Sequence, residues 1–220
     1  MTDTGQLIEQ LAARAKPVRP LAAPWRRASV WFALVTTVVA VICLVSGLRA
    51  DLAAAMSVPA TAIEWLASAL TGLLAGYAAF QVSVPGHSPR WTWLPLPALV
   101  AWLTSIGLGC LGDWWLMGAR AFAFDAHGVQ CFVMITLVSL PLALVLLLMV
   151  RHAGAVRPAE TALLGTLSAA ALSSAAVSLV HDGESALMGL AWHASAVALL
   201  TGLGLALSRR LFAWIGHGRA

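Results

Sequence analysis

Apolar residues along this chain fall into long unbroken runs, not into the short alternations of a water-soluble fold. Six runs are long enough to cross a bilayer hydrocarbon core, which takes roughly 20 helical residues. They predict spans at Ala28–Leu48, Ala60–Phe80, Trp93–Gly112, Val129–Val150, Ala159–Val180 and Leu187–Ser208. A membrane β-barrel would show apolar and polar residues alternating along each strand, and these runs show no such period. The expected fold class is all-α, a polytopic membrane protein with six transmembrane helices. A polar segment (1–27) precedes the membrane domain (28–208), and a short tail (209–220) follows it. The second, fifth and sixth runs are rich in Ala, Gly, Ser and Thr. Such residues favour close helix–helix approach where packing must replace the missing hydrophobic drive.

Composition agrees. The chain is 60% apolar and 10% charged, with a mean hydropathy of +0.87. A soluble domain carries about 25% charged residues to wet its surface. A chain this poor in charge is stable where lipid is the solvent and every backbone group is paired within a helix. The first 27 residues are mostly polar, contain Pro17, Pro20 and Pro24, and do not read as a signal peptide.

Charge then sets orientation, because Lys and Arg concentrate in cytoplasmic loops. With the N-terminus inside, Arg14, Lys16, Arg19, Arg26, Arg27, Arg90, Arg151, Arg157, Arg209, Arg210 and Arg219 lie on the inner side, and only Arg49 and Arg120 lie outside. Both termini are therefore expected in the cytoplasm. The net charge of +4 reads as an orientation signal, and no direct contact with nucleic acid is expected. Trp25, Trp31, Trp65, Trp91, Trp93, Trp114 and Trp115 cluster near span ends and are expected to be interfacial anchors.

The N-terminal segment is the only sizeable polar piece. From Thr4 to Ala15, Leu7, Ile8 and Leu11 recur at helical spacing and predict a short amphipathic helix, with Thr4 as its cap. Pro17, Pro20 and Pro24 stop it. Two readings stay open on composition: a disordered basic lead, or a segment that folds against a cytosolic partner. In the loop Ser83–Trp91, Pro85-Gly86 marks a tight turn.

On the other side, Cys110 closes the third span and Cys131 opens the fourth, at similar depth in one hairpin. Such a pair could form a disulfide if the Cα atoms approach within about 7 Å. As thiolates the two could also take a soft metal. Cys43 reads as a packed residue. Asp113, Asp125, His127, His181, Asp182 and Glu184 fall on the same side, and His193 lies within the sixth span. An ionisable residue inside a span is a functional candidate, which singles out His193; with His127 and His181 in loops of the same face, it joins Cys110 and Cys131 as a candidate metal ligand. Glu64 and Glu160 sit near span starts, within reach of interfacial water. There is no phosphate loop, nucleophile elbow or H-E-x-x-H, so no enzyme is expected. The spans are mostly smooth apart from Pro95, Pro97 and Pro141, which weighs modestly against a transporter. A thiol oxidoreductase and a small transporter are the two rival readings.

The chain resembles NrsF, a family of six-span inner-membrane anti-sigma factors that restrain an extracytoplasmic-function sigma factor. The likeness is carried by Pro17-Val18-Arg19-Pro20-Leu21, Ser83-Val84-Pro85-Gly86, Leu94-Pro95-Leu96-Pro97-Ala98 and Gly107-Leu108-Gly109-Cys110 with Asp113-Trp114. It continues through Cys131-Phe132, Ser139-Leu140-Pro141-Leu142, Arg157-Pro158 with Thr161-Ala162, Leu187-Met188 and Trp192-His193. The resemblance implies a bacterial inner-membrane location and a sigma factor held by the N-terminal segment, through Leu7, Leu11 and Pro17-Val18-Arg19-Pro20-Leu21. It also implies that Cys110 and Cys131 sense metal or oxidant from the periplasm. No resident cofactor is expected, only transient heavy-metal binding. His87 stands where the family's turn usually has a basic residue, commonly Arg, which departs from the pattern.

Overall fold

A computed structural model describes residues 4–14, 21–118, 126–151, 156–181 and 186–216. Among these residues the chain is helical, with no strand. The elements are α1 (Thr4–Arg14), α2 (Pro24–Ser46), α3 (Leu52–Ser57), α4 (Pro59–Val82), a 3-10 turn (Pro89–Trp93), α5 (Leu96–Met117), α6 (Ala126–Val150), α7 (Pro158–Val180) and α8 (Ala186–Gly216).

Five stretches among the described residues are long and apolar enough to cross a membrane: Pro24–Ser46, Pro59–Val82, Pro89–Met117, Phe132–Val150 and Pro158–Val180. They correspond to the first five spans read from the sequence. At about 1.5 Å per residue, a 23-residue helix such as α2 reaches about 35 Å, enough for a core of about 30 Å. The helix breaks follow residue chemistry. Proline opens α2, α4, α5 and α7 within the first two positions, where a missing N–H breaks no helical bond. Gly86 turns the chain after α4 with φ +86°, a conformation that side chains with a Cβ resist. The short α3 was not foreseen; it forms between the first two spans because Arg49 and Asp51 tie down the turn before it.

The packing places small residues inside and large ones outside. α7 lies at the centre, buried almost continuously from Thr161 to Val177 by a run of Ala, Ser, Thr, Gly and Leu. α4 presents Ala67, Ser68, Thr71, Gly72, Ala75 and Gly76 to it. The two helices run antiparallel and are stitched by side-chain bonds to backbone. Trp65 Nε1 donates to the Ala175 carbonyl at 3.0 Å, Ser68 Oγ to Ala171 at 3.0 Å, and Ser168 Oγ to Gly72. α8 reaches the same centre, with Gly204 against Thr166. The small-residue reading of the second and fifth spans thus describes the tightest contact in the bundle. Leu44, Val45, Leu103, Leu108, Leu137 and Leu140, in contrast, point outward and are exposed. In water that exterior would be unfavourable by roughly 25 cal/mol per Å² of apolar surface; in lipid it carries no such cost.

Two aromatic anchors expected from the sequence are packing residues. Trp31 is completely buried, and Trp65 is half-buried and bonded to α7. A tryptophan near a span end is pulled inward where the facing helix offers glycine: Trp31 covers Gly76. Trp25, Trp93, Trp114 and Trp115 are exposed, as anchors would be.

Candidate functional site

Chemistry collects at the two ends of the bundle. One end carries α1, the start of α2, the turn after α4, and the junction of α6 with α7. α1 is an amphipathic helix with none of its residues buried. Leu7, Ile8 and Leu11 are 50%, 61% and 63% exposed, so its apolar stripe is left largely uncovered by the described residues. Arg14 closes its last turn, where a cation complements the helix dipole. Leu21 is also exposed, whereas Pro17, Val18, Arg19 and Pro20 lie outside the described residues.

In the first turn of α2, Arg27 is more than the orientation charge that the sequence suggests. It is 9% exposed, its Nη2 donates to the Met149 carbonyl at the end of α6, and its guanidinium stacks 5.3 Å from the Phe80 ring centroid. One side chain thus ties α2 to α4 and α6. Nearby, His87 Nδ1 and Gln81 Oε1 share a hydrogen bond of 2.8 Å that closes the turn after α4. His87 therefore stabilises its own loop.

The opposite end holds the cysteines. α5 runs five residues past its expected end, so Cys110 sits two turns inside the helix. Cys110 is 8% exposed in a packed cluster with Trp102, Ile106, Ala67 of α4 and Ala171 of α7. Glu64 of α4 and Asp113 of α5 lie within electrostatic range of its sulfur. Glu64 is half-buried in the second turn of α4, less open to interfacial water than its position in the sequence implies. Cys131 and His127 belong to the first turns of α6, and their side chains lie outside the described residues, as does that of His193 in α8. Asp125, Asp182 and Glu184 are likewise outside them. His181 caps α7 through its backbone N–H to Val177 and is half-buried. Among the described residues no three His, Cys, Asp or Glu side chains converge as a metal-binding cluster. Cys43 is half-buried with a free thiol, less enclosed than a core residue.

Glu64 is the residue whose surroundings sequence reasoning missed. The signal was present, since a carboxylate one turn inside an apolar run needs a reason. Its neighbour Cys110 lies far away in sequence, and only the α4–α5 packing brings them together.

These features define a helical bundle with an apolar exterior, an exposed amphipathic helix at one end and the buried thiol of Cys110 toward the other. The chain matches the family model of NrsF, described as negative regulator of sigma F, over residues 11–214, and it belongs to that family. No curated protein and no solved structure matches it. A negative regulator of a sigma factor has a sigma factor as its partner.

Proposed function

We propose that this chain is a polytopic inner-membrane anti-sigma factor, with α1 and the segment through Leu21 holding an extracytoplasmic-function sigma factor on the cytoplasmic side. The observation that carries this reading is the exposed apolar stripe Leu7, Ile8 and Leu11 on a chain of a sigma-regulating family. The family match begins at residue 11, so most of α1 precedes it. That placement suits a segment that varies with the particular sigma factor. α8, with 31 residues, would supply the sixth span and return the C-terminus to the inner side.

Release would begin at Cys110 and Cys131. Cys110 supports this role because it is packed where α4, α5 and α7 meet. A metal or an oxidant bonding to its sulfur adds volume that a close-packed seam can take up only by moving a helix. Such a ligand shifts the equilibrium by its differential affinity for the two states. About 5.5 kcal/mol takes a population from 1:99 to 99:1. The reading is a switch without catalysis.

The test is capture of the solubilised full chain from its host, beside a form lacking residues 1–27. A sigma factor retained by the first and absent from the second supports the reading. Equal retention by both moves the interface to the inner loops, and none in either case overturns the anti-sigma assignment.

A further inference from the structure

Arg27 and Arg157 share a feature that the sigma-binding reading does not use. Each buries its Nη1 with no hydrogen-bond partner among the described residues. Thr161 Oγ1 and Trp31 Nε1 are buried and unpartnered as well. All four groups belong to the end of the bundle that carries α1. The register of α4 on α7, with Ser68 at Ala171 and Gly72 at Ser168, brings Phe80 to the level of Thr161 and Ser83 to that of Arg157. Arg27 lies over Phe80 and holds Met149, so it sits at the mouth of the α6–α7 connection. Arg157 precedes the first turn of α7, and its carbonyl accepts the Thr161 N–H at 3.1 Å. Thr161 is fully buried in that first turn.

Of the orphaned groups at this end, the three nitrogens are donors, two of them on cations, and the Thr161 hydroxyl can donate as well. The orphaned carboxylate oxygen, Asp113 Oδ2, lies at the opposite end, near the close of α5. Glu160, the acid of the first turn of α7, pairs with neither arginine; among the described residues the only ion pair is Arg49–Asp51. Two guanidinium groups of like charge, each with one buried, unpartnered nitrogen, call for a ligand that brings negative charge and several acceptor oxygens. Phosphate meets both needs, because arginine forks bind its oxygens in pairs. The first turn of α7 adds open backbone N–H groups and the positive end of the helix dipole.

We propose that this end of the bundle is a binding site for the phosphate of an anionic phospholipid headgroup, held between Arg27 at the start of α2 and Arg157 at the start of α7. A lipid is favoured over a free anion because both arginines lie where spanning helices emerge from an apolar exterior. Basic pockets between transmembrane helices on the cytoplasmic side are where such headgroups bind. The bound lipid would brace the junction from which α1 projects. The site goes beyond the sigma-binding reading and does not depend on it.

The test is native mass spectrometry of the full chain from mixed micelles of phosphatidylglycerol and phosphatidylcholine, repeated with inorganic phosphate. The wild type is expected to retain phosphatidylglycerol selectively, with retention falling roughly fivefold in each of Arg27→Gln and Arg157→Gln. Circular dichroism melts establish that the variants are folded; Arg157→Gln, at the less buried position, carries the test if Arg27→Gln is not. Equal retention of the two lipids by the wild type, or undiminished selectivity in Arg157→Gln, overturns the proposal. Displacement of the lipid by millimolar inorganic phosphate would assign the site to a free anion and overturn the lipid assignment. Variants that keep lipid selectivity but lose the sigma factor would show the arginines serving a protein carboxylate, and would overturn it too.

Discussion

The hydroxyl of Ser68 on α4 donates to the carbonyl of Ala171 on α7 at 3.0 Å, and one turn away the same two helices leave no room for a side chain at Gly72. A Cβ there would fall 2.5 Å from Leu172 Cγ and 3.1 Å from the Leu172 amide nitrogen. The side chain could swing aside, but the backbone could not without separating the helices. Gly72→Val should therefore destabilise the bundle by about 1–3 kcal/mol, the usual range for overpacking. Gly107 on α5 has nothing within 4 Å of its would-be Cβ. Gly107→Ala should be neutral or gain up to about 1 kcal/mol, as replacing a mid-helix glycine does. Thermal melting of both variants in one detergent measures the contrast.

A second prediction concerns the loop after α2. The Arg49 guanidinium grips Asp51 through two bonds of 2.6 Å, and that hydrogen bonding, with the positive charge, holds the Asp51 carboxyl below its ordinary value of 3.8. A depressed folded-state value means that the contribution is present above the unfolded value and lost as pH falls through the folded one. Wild type should melt slightly above Asp51→Asn at neutral pH, and the gap should close as the pH drops below 3.8. Asp51 is exposed, so the gap is small and shrinks with salt. The Arg49 amide bond to the Leu179 carbonyl, 3.0 Å, is independent of pH and keeps the loop on α7 in both proteins. A gap that persisted at acid pH would show the pair to be inert.

How much of this was legible in the sequence depends on the distance over which each feature acts. The five helices long and apolar enough to cross a membrane could be read because apolar length is a property local to each run. The helix at Leu7, Ile8 and Leu11 could be read for the same reason, from its period. The hidden features arise where separate spans meet. The chain spells Arg27 as one more flanking cation, and nothing within its own helix announces Phe80 or Met149. Trp31 and Trp65 look like anchors until α7 and Gly76 are brought against them. The end of α5 was misjudged because Asp113 interrupts the apolar run, whereas the helix continues to Met117. Glu64 and Cys110 come within electrostatic range of each other only in the folded bundle.

The exposed stripe of α1 yields a third prediction. Because α1 buries none of its residues, Leu7→Ser with Leu11→Ser removes no internal packing, and the melting temperature should stay within about 1 °C of wild type. If the stripe docks on the sigma factor, two lost apolar anchors at about 1–2 kcal/mol each should weaken binding by tenfold or more. Titration of the purified sigma factor onto the two proteins in nanodiscs measures this. Unchanged affinity would remove α1 from the interface.

The last prediction separates the thiol chemistry of Cys110 from its packing. Serine is nearly isosteric with cysteine, so Cys110→Ser keeps the α4, α5 and α7 seam closed and should retain the sigma factor, while removing the sulfur that a soft metal would seek. A transcriptional reporter driven by the sigma factor should then stay silent when cadmium is added. Cys110→Phe does the opposite. It forces a ring into a position that is 8% exposed between Ala67 and Ala171, imitating the bulk of a metal or oxidant adduct. If seam opening is the signal, this variant should release the sigma factor without any inducer and give a constitutive reporter. A protein that accepted the ring and stayed silent would uncouple the seam from release, even if Cys110→Ser had lost its response. Wild-type induction in Cys110→Ser would remove this thiol from sensing altogether. A constitutive Cys110→Phe beside a silent Cys110→Ser is the outcome that a switch without catalysis requires, since neither substitution supplies any chemistry of its own.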